Sequence, residues 1–140
     1  MYYVNSEQIK QRLDVIPDLV EALQTLEQQW QGTLLQGLAQ ERALHLAIET
    51  VTDVGSCLID GFIMRDASSY EDIIDIIGGE GVFPGELHSL LLELVKLRKP
   101  LVQDYYVWER AALHPLTTKL PACLTGFARA VSEYLERELA

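Results

Sequence analysis

The chain is short of the residues that most often carry chemistry. Its 140 residues include two cysteines and three histidines. Cys57 and Cys123 stand alone, without metal-type spacing, and read as buried, reduced thiols of a cytoplasmic protein. Cations are scarce as well: eleven Lys and Arg against 21 Asp and Glu give a formal net charge of −10. That balance argues against tight, non-specific nucleic-acid binding, which depends on neutralising phosphates. Any RNA contact must then be confined to a local basic patch. No apolar run approaches the ~18 residues of a membrane span. The opening Met1-Tyr2-Tyr3-Val4-Asn5 lacks the basic and apolar regions of a secretion signal. Strand alternation, low-complexity tracts and internal repeats are also missing. The glycines of Gly78-Gly79-Glu80-Gly81 have no preceding strand and no following Lys-Ser/Thr, so they stop a helix rather than cradle a phosphate.

What is present is helical periodicity, in a chain that is 49% hydrophobic and long enough for one domain over residues 1–140. Ser6 serves as an N-cap, and Ile9, Leu13, Ile16, Val20, Leu23 and Trp30 form a stripe that Pro17 should kink. A longer helix runs from Leu34 to about Phe62. Its apolar positions Leu44, Ala47, Ile48, Val51, Val54 and Leu58 cover a broad arc, which marks the central helix. Ser68-Ser69-Tyr70-Glu71 fits a capping box between Ser68 and Glu71, opening a helix that Gly78-Gly79 closes. Pro84 opens the next helix in its first turn. A further helical stretch is expected from Leu101 to about Arg110, and a last helix from Pro115 to Leu139, bent or divided by Pro121. The pattern predicts an all-α, antiparallel up-and-down bundle of about five to six helices.

The segment Leu97 to Tyr106 stands out. Leu87, Leu91 and Leu94 recur at helical spacing, and Arg98 falls next on that face. Lys96, Arg98 and Lys99 form the densest basic cluster in an acidic chain. A half-buried guanidinium needs a carboxylate, a phosphate or an aromatic face. Gln103, Asp104 and Tyr105 follow within a turn or two. His45, Glu49 and Asp53 recur every four residues as a polar row on the central helix. That row admits a His/carboxylate metal site, or a carboxylate from Glu49 or Asp53 that holds Arg98. Asp104 is a local acceptor for Arg98 or Lys99. His88 and His114 are isolated.

The run Leu97-Arg98-Lys99-Pro100-Leu101-Val102-Gln103-Asp104-Tyr105 resembles the Arg-Asn-x-Leu-Val-His-x-Tyr run of the HepT-like branch of the HEPN superfamily. These are small helical bundles also called nucleotidyltransferase substrate-binding domains. Asp60-Gly61-Phe62-Ile63-Met64-Arg65-Asp66, Ser69-Tyr70-Glu71-Asp72-Ile73, the opening Met1-Tyr2-Tyr3-Val4 and the pattern from Phe127 to Leu135 resemble one subgroup of it. The resemblance implies a homodimer from a toxin–antitoxin system, a nucleotidyltransferase-type partner, and no cofactor or metal. It implies that Arg98, Gln103 and Tyr105 hold the places of a metal-independent ribonuclease motif, with Tyr105 as a possible AMP acceptor. Gln103 departs from that motif, because it stands where the family has histidine and cannot move a proton near neutral pH.

Three readings follow. The chain is an interaction module with a degenerate Arg-x4-Gln-x-Tyr site, or an active ribonuclease using Arg98 and Tyr105, or, on the His45 row alone, a metal bundle. In the first, Arg98, Gln103 and Tyr105 line a small polar cleft. The broadly apolar central helix and the leucine stripe call for a dimer that brings the two Arg98–Tyr105 segments toward a two-fold axis.

Overall fold

A computed structural model describes residues 3–140. Met1 and Tyr2, which begin the opening compared above, lie outside the described residues. The chain forms six α-helices: α1 Ser6–Leu13, α2 Ile16–Gln29, α3 Leu34–Gly61, α4 Tyr70–Gly79, α5 His88–Lys96 and α6 Pro115–Leu139. No strand occurs among the described residues. The result is the antiparallel all-α bundle that the periodicity predicts.

Local chemistry moves several of the expected boundaries. Asn5, not Ser6, caps α1, with its side-chain oxygen accepting from the Gln8 amide at 3.0 Å. The first stripe is two helices, broken at Asp14–Val15, and Pro17 lies in the first turn of α2 rather than at a mid-helix kink. Proline is tolerated there because a first-turn N–H has no partner to lose. The break resets the register. The buried face of α2 becomes Ile16, Leu19, Leu23 and Leu26, while Val20 is only half buried. The capping box of α4 is displaced by one residue. Ser69 is the N-cap and accepts from the Asp72 amide at 3.0 Å, while the Asp72 carboxylate accepts from the Ser68 amide at 2.9 Å. Pro84 precedes a 3₁₀ turn, Gly85–Leu87, which then runs into α5. Pro121 does not divide α6, which continues through it as one 25-residue helix.

The central helix is α3. Leu44, Ala47, Ile48, Val51, Val54 and Leu58 are wholly buried, and they meet Leu91 and Leu94 of α5 and Leu124 and Phe127 of α6 in one core. Each such Leu, Ile or Phe contributes ~1.5–3 kcal/mol by leaving water. Neither the Leu44–Leu58 positions of α3 nor Leu91 and Leu94 need a second chain for cover. That part of the apolar surplus is satisfied within the monomer, and the large apolar side chains left exposed include Leu34, Leu35 and Leu38 at the start of α3.

α3 ends in a Schellman-type turn. The Met64 amide reaches the Ile59 carbonyl at 2.9 Å, and Ile63 between them takes φ +55°. Glycine usually fills that left-handed position, and a β-branched residue there is strained.

Candidate functional site

The segment after α5 is not the helix expected over Leu101–Arg110. It is a π turn, Lys99–Gln103, then a 3₁₀ turn, Tyr105–Val107, then irregular chain to Pro115. Pro100 supplies the reason. It has no N–H to offer the Lys96 carbonyl, and its ring crowds that carbonyl, which weakens the α-helix at this point. The chain widens instead, and the Asp104 amide bonds the Lys99 carbonyl at 3.0 Å, a five-residue step. In an α-helix, five residues place Gln103 ~140° around the axis from Arg98. The wider i→i+5 turn rotates it back toward Arg98, a device often found at functional sites. Leu101, 8% exposed, anchors the turn in the core.

Arg98 is half buried at the start of this turn. Its guanidinium carbon lies 4.2 Å from the centre of the Tyr70 ring, a cation–π contact that links the end of α5 to the first residue of α4. Its Nε is buried with no hydrogen-bond partner. Among the described residues no carboxylate pairs with Arg98, Lys96 or Lys99. Gln103 and Tyr105 are exposed, Tyr105 by 58%, and neither is hydrogen-bonded to Arg98. The Tyr105 ring meets Tyr106 edge-on at 5.8 Å. With Val107, these tyrosines form an apolar but accessible surface.

The remaining candidates go elsewhere. Asp53 faces Arg12 at 3.9 Å, across from α3 to α1, and burial with Glu49 nearby raises its pKa. Glu49 lies 3.4 Å from His45. The polar row therefore serves α1 and itself, and supplies no carboxylate to Arg98. Asp104 contributes its backbone to the π turn and forms no ion pair among the described residues. Among those residues no three His, Cys, Asp or Glu side chains gather to hold an ion. His88 bonds Asp75 at 2.8 Å and ties α5 to α4. Cys123 is buried, and burial raises its thiol pKa to about 11, which leaves it unreactive.

The sequence reading missed the residues that hold the neighbouring chain. The Gln40 side chain, wholly buried on α3, accepts from the His114 amide at 2.8 Å and from the Thr117 hydroxyl at 2.7 Å, and donates to the Ala112 carbonyl at 3.0 Å. Glu41 accepts from both Nε and Nη2 of Arg110. Trp30 Nε1 donates to the Ala111 carbonyl at 3.2 Å. Gly37 lets this strap approach, since a Cβ there would collide with Arg110. These partners are 69 to 81 residues apart in sequence, beyond the reach of any local pattern. The only signals were a buried Gln on an apolar face and a glycine inside a helix.

An all-helical bundle with an arginine at a broken late helix and an accessible tyrosine after it defines a class, and the comparisons agree on which. Residues 9–123 match the family described as Ribonuclease HepT-like, and the chain belongs to that family. It is 37% identical over 139 residues to "Putative RNase YutE" of Bacillus subtilis (strain 168), covering 99% of this chain and 95% of that protein. The solved structure of YutE, titled a cytosolic protein of unknown function from Bacillus subtilis, superposes with a TM-score of 0.87 at 35% identity, covering 99% and 96% of the two chains. No described helix is long and apolar enough to cross a membrane.

Proposed function

We propose that this protein is a phosphate- and RNA-binding member of the family in which cleavage is weak or absent. The observation that carries the reading is Arg98: a half-buried guanidinium with no carboxylate, its Nε unbonded, beside two more cations that are also unpaired. A buried cation without an anion is costly unless a ligand supplies one. Arginine stabilises phosphate charge in ground and transition states alike, which gives binding. Proton transfer typically adds ~10²–10⁴-fold in rate, and Gln103 cannot provide it. The RNase name of the Bacillus relative supports RNA as the polyanion. The deciding assay compares wild type, Gln103→His and Arg98→Ala on a structured RNA in the presence of chelator. Wild type should bind and barely cleave, Gln103→His should cleave faster, and Arg98→Ala should bind about tenfold more weakly. Robust wild-type cleavage abolished by Arg98→Ala would overturn this in favour of an active metal-independent endoribonuclease. The exposed phenol of Tyr105 is what favours that alternative.

The same accessible phenol suits Tyr105 as an AMP acceptor for a nucleotidyltransferase-type antitoxin in a toxin–antitoxin pair, acting in the cytoplasm. Mass spectrometry after incubation with such an enzyme and ATP tests it, with Tyr105→Phe as the control. A homodimer also belongs to this reading. Its support is the exposed Leu34, Leu35 and Leu38 of α3 and Tyr106 and Val107 beside the site. Light scattering giving monomer mass at micromolar concentration would exclude it.

A further inference from the structure

Arg98 meets no carboxylate, but it does meet a ring. Tyr70 opens α4, and its centroid is 4.2 Å from the Arg98 guanidinium carbon. A guanidinium is planar: its faces stack on aromatic rings, while its edge donates in-plane hydrogen bonds. With one face on Tyr70 and Nε buried, the group has its terminal nitrogens left for an anion and loses much of its freedom to rotate. The backbone that carries the ring is itself held in place. Ser69 caps the helix at the Asp72 amide, and the Asp72 carboxylate takes both terminal nitrogens of Arg65 at 2.7 Å each. The Ser68 amide and hydroxyl close on the same carboxylate at 2.9 and 3.1 Å. This network fixes the backbone on either side of Tyr70, while the ring stays 41% exposed. A tyrosine merely covering the core would be more buried and would need no such frame.

We propose that Tyr70 is a positioning residue for the anion site. Its ring face clamps Arg98 so that the guanidinium edge is presented to an incoming phosphate, and its hydroxyl is dispensable. The inference rests on the reading of Arg98 as a phosphate-binding group. It adds that the site is built from two helices rather than from the motif segment alone. An ordered guanidinium loses less freedom on binding, and that saving is what the ring contributes to affinity.

The test uses the full chain and two readouts. The first needs no ligand: the Nε–H resonance of Arg98 and the ring-current shift of its side-chain protons, by nuclear magnetic resonance. The second is affinity for a fluorescent twelve-nucleotide single-stranded RNA. Tyr70→Phe should keep the ring-current shift and bind within about twofold of wild type, because it keeps the ring face. Tyr70→Leu and Tyr70→Gln should lose the shift and weaken binding about three- to fivefold, short of the loss in Arg98→Ala. Two ringless variants of opposite polarity guard against one failing to fold, and circular dichroism checks both. If Tyr70→Phe falls as far as Tyr70→Leu, the ring clamp is wrong and the hydroxyl is making the contact. If Arg98→Ala weakens binding while neither ringless variant does, the clamp is overturned and the phosphate site stands. If Arg98→Ala binds as wild type, the phosphate site fails and the positioning role fails with it. The ring-current shift then still shows separately whether the stacking exists.

Discussion

Two arginines twelve residues apart divide this molecule's later half. Arg110 is gripped by both oxygens of Glu41, and the chain around it is held by Gln40, Trp30 and His114. Arg98 has an aromatic face, an unbonded Nε and two unpaired lysine neighbours. One arginine is saturated and the other is not, in a chain with nearly twice as many acidic as basic residues. What sets Arg98 apart from the exposed unpaired cations is its buried, unbonded Nε and its stacking on Tyr70. The saturated arginine is structural. On the proposed function, chemistry is found where the bonding is incomplete, not where it is densest.

The comparison breaks most sharply at Gln40. Replacing it with Leu leaves the His114 amide and the Ala112 carbonyl unpaired next to the core, and the loss should be ~3 kcal/mol. Denaturant unfolding measures it. RNA affinity per folded molecule should not change, because the strap is not the site. A variant that folds as well as wild type would show that the 108–117 chain is not fixed by this network.

Arg98→Ala should do the reverse. The loss of one charged contact to phosphate weakens RNA binding by ~10-fold. Stability should fall by ~1 kcal/mol or less, the value of a partly exposed cation–π contact. A large loss of stability with unchanged binding would make Arg98 another Arg110.

Ile63 offers a gain. It carries φ +55° at an exposed position after α3, and Ile63→Gly relieves the strain, so stability should rise by ~1 kcal/mol. A lower midpoint in thermal unfolding would mean that the Ile63 side chain makes contacts worth more than its strain.

The smallest effect is a pH dependence at the strap. His114 Nδ1 accepts from the Leu116 amide at 3.0 Å and caps α6, so the ring must be neutral on that nitrogen. Burial lowers its pKa, partly countered by Glu93. The folded value is therefore below the unfolded one, ~6.5. The contribution is complete above that value and is lost as pH falls through the folded pKa. Stability between pH 7.5 and 5.5 should drop by under ~1 kcal/mol, the size of an N-cap. In His114→Asn, which can cap at either pH, this component should vanish. An unchanged slope would assign the pH dependence to other groups. Asp72 behaves similarly at lower pH. Arg65 holds its carboxyl well below the usual carboxylate range, so that contribution is present at neutral pH and is lost in acid, below ~4.

The sequence alone determined the fold class and the central helix, because both depend on local spacing, and its resemblance to a known run pointed to the family. Helical periodicity needs only neighbours four residues apart, and a proline removes an N–H wherever it stands. Boundaries moved by a residue or two where one polar side chain competes with the next for the same amide, as at Asn5 and Ser69. Sequence also picked out Arg98, from its stripe and its basic neighbours. It left a carboxylate, a phosphate or an aromatic face open as the partner; the carboxylates it looked to, Glu49 and Asp53, belong to His45 and Arg12, and the aromatic face is the one that is filled. Only the tertiary structure could put Tyr70 against Arg98 and Gln40 beneath His114. A partner is chosen by which helices pack together, and packing joins residues that no periodicity relates. The π turn shows both parts at once. Pro100 weakens the helix, as Pro121 does inside α6 without dividing it, and here burial of Leu101 in the core accompanies a chain that widens rather than ends.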